Sequence, residues 1–158
     1  MARDARIALL LELLDQSFRG RAWHGTPLRG ALRGVSPAAA LRRPAPGRLC
    51  AWDYVLHCAF WMHEVRRRVS PEAIEAFPRS PANFPAPGRP TAAAWRADIR
   101  LLEREFALLR KLVERMPAAA LRRRPKGARW TSEEQLLGVA AHNFYHTGQL
   151  QLVRRLTA

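Results

Sequence analysis

Two histidines four residues apart, His142 and His146, are the side chains in this sequence best placed to do chemistry. At about 100° per residue, positions i and i+4 fall on one helical stripe a turn apart, so both imidazoles can meet a single divalent ion. The stretch around them, Thr131 to Arg155, reads as one helix. Thr131 and Glu134 have the spacing of a capping box, in which the hydroxyl accepts the N3 amide and the carboxylate reaches back to the cap amide. The same stripe carries Gln135, Gly138, Gln149 and Val153, and Gly138 would let a neighbouring helix approach closely. Asn143 stands where HExxH would place its general-base Glu, which excludes the zincin class of protease. An HxxxH pair occurs in many ordinary helices, so a metal site needs a third ligand. The sequence offers His24, His57 and His63.

The element that could bring that third ligand is a helix expected from about Leu49 to Val69. On it His57 shares a stripe with Cys50, Asp53, Trp61, Glu64 and Arg68, while His63 points some 120° away. Aromatic and small apolar neighbours turn His57 inward and leave His63 at the edge. Asp53 and Glu64, one and two turns from His57, are the candidates for a partner of a ligand, a fourth ligand or a general base. Trp61, one turn after His57, and Gln149, three residues after His146, are expected to face the open site as substrate-pocket residues. Trp23 and His24 would close over it from a loop, although a Trp-His-Gly run can equally be an aromatic anchor beside a turn.

Two further helices complete the frame. The first runs from about Arg3 to Phe18, with Ile7, Leu10, Leu11, Leu14 and Phe18 on one face and Gly20 as its stop. The other is opened by Thr91, carries Trp95, Ile99, Leu102, Phe106, Leu109, Val113 and Met116 at alternating spacings of four and three, and ends before Pro117. That seam holds no ligand-type side chain, so this helix reads as scaffold. The connection after Gly20 is broken by Gly and Pro, with short turns expected near Pro27 to Leu32 and from Ser36-Pro37. It is long enough to cross the end of a bundle. Residues 71–90 hold six of the twelve prolines and must be loop.

Composition sets wider bounds. At 158 residues the chain is expected to be one domain, residues 1–158. Of its 27 basic residues only Lys111 and Lys126 are lysine and the other 25 are arginine, so the net charge of +14 carries the mark of an Arg-, Ala- and Pro-rich composition. The clusters Arg66 to Arg68 and Arg122 to Lys126 could still meet phosphates or an acidic substrate. The apolar run from Ile7 to Leu11 is interrupted by Glu12 and Asp15, and no stretch approaches the roughly 20 apolar residues of a membrane span, so a cytoplasmic protein is expected. Cys50 and Cys58 make no disulfide framework and read as small buried residues.

Together these elements give an all-α fold, a four-helix bundle with long irregular connections, in which metal ligands come from facing helices. His57 in WDYVLHCAFW, the aromatic-His-Gly at Trp23 to Gly25, and the closing AAHNFYHTGQLQLVRR resemble the DinB/YfiT-like superfamily of metal-dependent enzymes. The resemblance covers nearly the whole chain and is strongest at the second-helix histidine and the final HxxxHxGQ. It implies that His57, His142 and His146 bind a divalent metal. It also implies transfer or isomerisation chemistry with a low-molecular-weight thiol cosubstrate, a role in stress or DNA-damage responses in some members, and a homodimer. Independently of family, three neutral imidazoles leave a coordination position open, as in catalytic sites. Such donors suit zinc or nickel, with iron and copper also compatible. The reading is a metal-dependent transferase or hydrolase acting on a small molecule. The alternatives are a nucleic-acid-associated stress protein, for which no DNA-binding motif accompanies the charge, and a metal-stabilised bundle without catalysis.

Overall fold

The computed structural model describes residues 4–158. They form α1 (Ala5–Phe18), α2 (Leu28–Ala31), α3 (Pro37–Leu41), α4 (Ala51–Val69), α5 (Ala92–Arg115), a 3-10 turn (Ala118–Arg122) and α6 (Ser132–Leu156), with no strand among the described residues. The fold is all-helical. Arg3, where the first helix was expected to begin, lies outside the described residues; there Asp4 is the cap, its carboxylate accepting the amide of Arg6 at 2.9 Å. Thr91 caps α5 through the amide of Ala94. At α6 both halves of the capping box form: Thr131 Oγ1 accepts the Glu134 amide at 3.2 Å, and Glu134 accepts the Thr131 amide at 2.7 Å. No helix among the described residues is long and apolar enough to cross a membrane.

Each long helix buries one face. α1 contributes Ile7, Leu10, Leu11, Leu14 and Phe18, and α5 contributes Trp95, Leu102, Phe106, Leu109 and Val113. Phe18 stacks on Phe106 with ring centroids 4.1 Å apart, and Trp52 of α4 meets Trp95 edge-on at 4.9 Å. The helix pairing follows a ring: α4 packs most extensively on α5 and then on α6, and α1 closes the square against α6 and α5. α1 and α4 are therefore diagonal, which the long segment between them permits. Within that segment α2 packs on α6 and α3 on α4. Arg154 of α6 ties it down by donating to the Ala31 carbonyl.

Two expectations about α4 and α5 change here. His63 is not at an edge; it is 3% exposed. Its Nδ1 lies 3.2 Å from Glu105 Oε2 and its Nε2 lies 3.0 Å from the Glu75 carbonyl. The helical wheel gave its direction correctly, but the proline-rich segment folds over that face, with Phe77 5.3 Å from the imidazole. Nor is α5 a purely apolar scaffold, because Asp98 and Glu105 are both buried. Asp98 accepts the Trp52 indole N–H at 2.9 Å and pairs with Arg79. Burial pushes the Glu105 carboxyl up, but the hydrogen bonds from His63 and Arg66 outweigh it and hold the group below the ordinary range.

Candidate metal centre

α4 and α6 face each other across one side of the bundle and bring His57, His142 and His146 together. One ring nitrogen from each lies within 4.8 Å of the others. His57 Nε2 is 3.0 Å from His146 Nε2 and 3.0 Å from His142 Nε2. His57 is 4% and His146 7% exposed, and His142 is half-buried.

The far sides of two rings fix their tautomers. His57 Nδ1 meets the Asn83 carbonyl at 2.5 Å, and a carbonyl can only accept, so the proton of neutral His57 sits on Nδ1 and Nε2 presents a lone pair. Gln149 Oε1, 2.6 Å from His146 Nδ1, sets that ring the same way. The Nδ1 of His142 is buried and has no hydrogen-bond partner. Burial also keeps all three rings neutral. It drives His57 down to about 4, against the hydrogen bond to Asn83, and drives His142 down to about 3 with help from His146 and His57. His146 is lowered as well, chiefly by burial and despite Gln149.

These facts test whether a metal fits. The facing lone pairs of His57 and His146, 3.0 Å apart with no proton between them, repel, and a cation among them turns repulsion into coordination. Two nitrogens each about 2.0–2.1 Å from one zinc ion stand roughly 3 Å apart. The donor set fits a divalent ion. The three-histidine group could hold one.

Other residues expected at the site are distributed differently. Trp61 does come to it, its ring 6.0 Å from His142 and its indole N–H donating to Asn83 Oδ1 at 2.9 Å. Gln149 approaches from behind, holding His146 by the nitrogen that faces away from the cluster. Trp23 is 94% exposed, and His24 packs edge-on against Phe144 at 4.5 Å. Phe144 is two residues from both His142 and His146, about 200° of helical rotation, so this loop covers the opposite side of α6. Trp23 and His24 do not close over the histidines. Neither carboxylate candidate joins the cluster. Asp53 accepts the Cys50 amide at 2.8 Å and pairs with Arg43 at 2.7 Å, capping α4. Glu64 is held by two hydrogen bonds from Arg67, which keep its carboxyl below the ordinary range. Gly138 brings no helix close either, since a Cβ there would meet nothing within 4 Å.

The residues that sequence reasoning missed are Asn83 and Phe84. Phe84 stacks on His57 with centroids 3.9 Å apart and planes 4° from parallel. Asn83 has φ 70°, a left-handed conformation that Asn tolerates better than most residues. An Asn beside an aromatic in a proline-rich loop was the one available signal.

An all-helical bundle with three inward histidines on two facing helices is the architecture of a metal-site bundle. The sequence model of the DinB superfamily matches residues 22–150, well over half of the chain, and the chain belongs to that superfamily. No match was found among curated proteins or among solved structures.

Proposed function

We propose that the protein is a metal-dependent transferase or hydrolase acting on a small molecule, with His57, His142 and His146 holding a divalent ion. The observation that carries this reading is the convergence of three Nε2 atoms from two helices far apart in the chain, two of them made lone-pair donors by Asn83 and Gln149. A divalent ion with an open position supplies Lewis acidity that makes a nucleophile of water or of a thiol near neutral pH. The protein's part is to keep the imidazoles unprotonated by burial, to aim them through Asn83, Phe84 and Gln149, and to present Trp61 beside them. Zinc and nickel are the ions we expect there, although imidazole donors accept iron and copper as well.

The test is a metal analysis of the purified protein, followed by a screen for thiol transfer and hydrolysis with the metal-stripped and reconstituted forms. Turnover that returns with added metal supports the enzyme reading. Stoichiometric metal without turnover in any form leaves a metal-stabilised bundle. Replacing His57 by Ala should weaken metal binding sharply; isothermal titration showing parental affinity in that variant would sink the three-histidine site itself.

A further inference from the structure

Beside His142 two cavities share a wall. The first, about 590 Å³, is lined by Trp61, Val65, Trp130, Leu137 and His142 among others and is largely apolar. The second, about 830 Å³, is lined by Arg67, Arg68, Arg123, Arg124, Lys126 and Arg129. Arg68, Trp130 and Gln135 line both. Each tryptophan of the apolar cleft carries an arginine over its ring: Arg68 lies 5.4 Å from the Trp61 centroid and Arg129 lies 4.9 Å from that of Trp130.

The charge of the second cavity is only partly neutralised. Arg67 and Arg68 answer to Glu64 and Arg124 lies within electrostatic range of Glu134, but among the described residues Arg123, Arg124, Lys126 and Arg129 have no carboxylate within 4.0 Å. Glu134, at the edge of the apolar cleft, is engaged in capping α6 through Thr131. A concave wall of one sign concentrates the potential and draws in anions. At the junction Gln135 is 8% exposed and donates its Nε2 to the Trp130 carbonyl at 3.1 Å, which fixes the amide orientation. Its Oε1 is buried with no partner, an acceptor that lacks a donor.

We propose that the two cavities form one ligand site for a small anion with an apolar body. The body lies in the tryptophan cleft next to His142, an N–H or O–H of the ligand meets Gln135 Oε1, and a carboxylate or phosphate lies among the arginines. Calling this ligand the substrate or cosubstrate rests on the function proposed above; the anion site itself does not.

The experiment compares three probes of one body by isothermal titration: 1-naphthyl phosphate, 1-naphthoate and the neutral 1-naphthamide. At low salt both anions should bind about tenfold or more tighter than the amide, the size of one charge-assisted hydrogen bond, and the advantage should shrink as salt rises. The order of the two anions tells phosphate from carboxylate recognition. The double variant Arg124→Gln/Lys126→Gln, neither residue lining the apolar cleft, should abolish the advantage while leaving amide binding and the circular-dichroism melt unchanged. Trp130→Ala should weaken all three probes. Anions that bind no tighter than the amide, or an advantage that survives in the double variant, would overturn the proposal. So would a short DNA duplex that displaces naphthyl phosphate at lower concentration than naphthyl phosphate itself requires, because the charge would then serve nucleic acid. Zinc binding is measured on the same samples. Anion preference without zinc binding retires the metalloenzyme reading alone, and zinc binding without anion preference retires this site alone.

Discussion

Asn83 reaches His57 with its backbone and not with its side chain: the carbonyl accepts from Nδ1 at 2.5 Å, while the amide oxygen takes the indole N–H of Trp61. The backbone contact depends on φ 70°, so it separates by substitution from the side-chain contact. Asn83→Gly keeps the left-handed backbone and loses only the Trp61 bond. Asn83→Val forces a β-branched residue into a conformation it avoids and displaces the carbonyl. Zinc affinity measured by titration against a competing chelator should fall about 10- to 100-fold for the Val variant, the usual size for loss of a ligand's supporting hydrogen bond, and much less for Gly. Equal affinities in the two variants would show that the loop does not orient His57.

His63 provides the contrast within the same helix. It is buried against Glu105 and Arg66, on a different face from the metal-site histidines. Removing it with His63→Ala leaves Glu105 with Arg66 alone and opens a polar cavity, which should cost about 2 kcal/mol in urea unfolding. Zinc stoichiometry should stay at the parental value. A loss of zinc at unchanged stability would contradict the separation of the two networks.

Gly138 lies inside α6 and faces open space where a Cβ would meet nothing. Gly138→Ala should therefore stabilise the protein by up to about 1 kcal/mol through helix propensity, a rise of roughly 2–4 °C in melting temperature for a chain of this size. It should also weaken naphthoate binding, because the new methyl enters the apolar cleft that Gly138 lines. Tighter naphthoate binding in this variant would count against the placement of the ligand body.

The metal-free protein should lose stability in mild acid. His57 sits at about 4 and His142 at about 3 in the fold, against an ordinary value of 6.5 when unfolded. A depressed folded value means that the unfolded chain binds protons first, so this stability is full above the ordinary value and is lost as pH falls toward the folded values. For His57 alone the loss between pH 7 and pH 5 is about 2 kcal/mol. Urea unfolding of the chelator-treated protein at the two pH values checks this, and His57→Gln should flatten the dependence. An unchanged midpoint in the parent would mean that the rings are less buried than the structure places them.

The sequence made the helices legible wherever a local signal carried them. Thr91 and Thr131 are caps, and Leu102, Phe106 and Leu109 keep a seam period that no other element can satisfy. That His57 faces inward followed from direction, since a wheel states which side a residue faces; its pairing with His142 and His146 was what the superfamily resemblance implied. What a wheel cannot state is what lies on that side. His63 and Glu105 sit beside the apolar stripes; His63 is covered by Glu75 and Phe77 from a segment without periodicity, and Glu105 is held by His63 and Arg66. The role of Asn83 likewise depends on one backbone torsion in a proline-rich loop, which residue type only hints at. Arg124 and Arg129 looked like composition until the chain placed them beside Trp130.

The order of helices around the bundle has a consequence for the ion as well as for the site. His57 and His142 are separated by 85 positions, and they approach only because α4 and α6 pack side by side. An ion shared between them would act as a removable crosslink across a loop of that length. In the chain-entropy treatment used for disulfides, a closure of this size restrains the unfolded chain by about 4–5 kcal/mol at most. A chelator would then work like a reductant on a disulfide protein, loosening the seam between α4 and α6 while leaving the α4–α5 pair held by Trp52, Trp95 and Asp98.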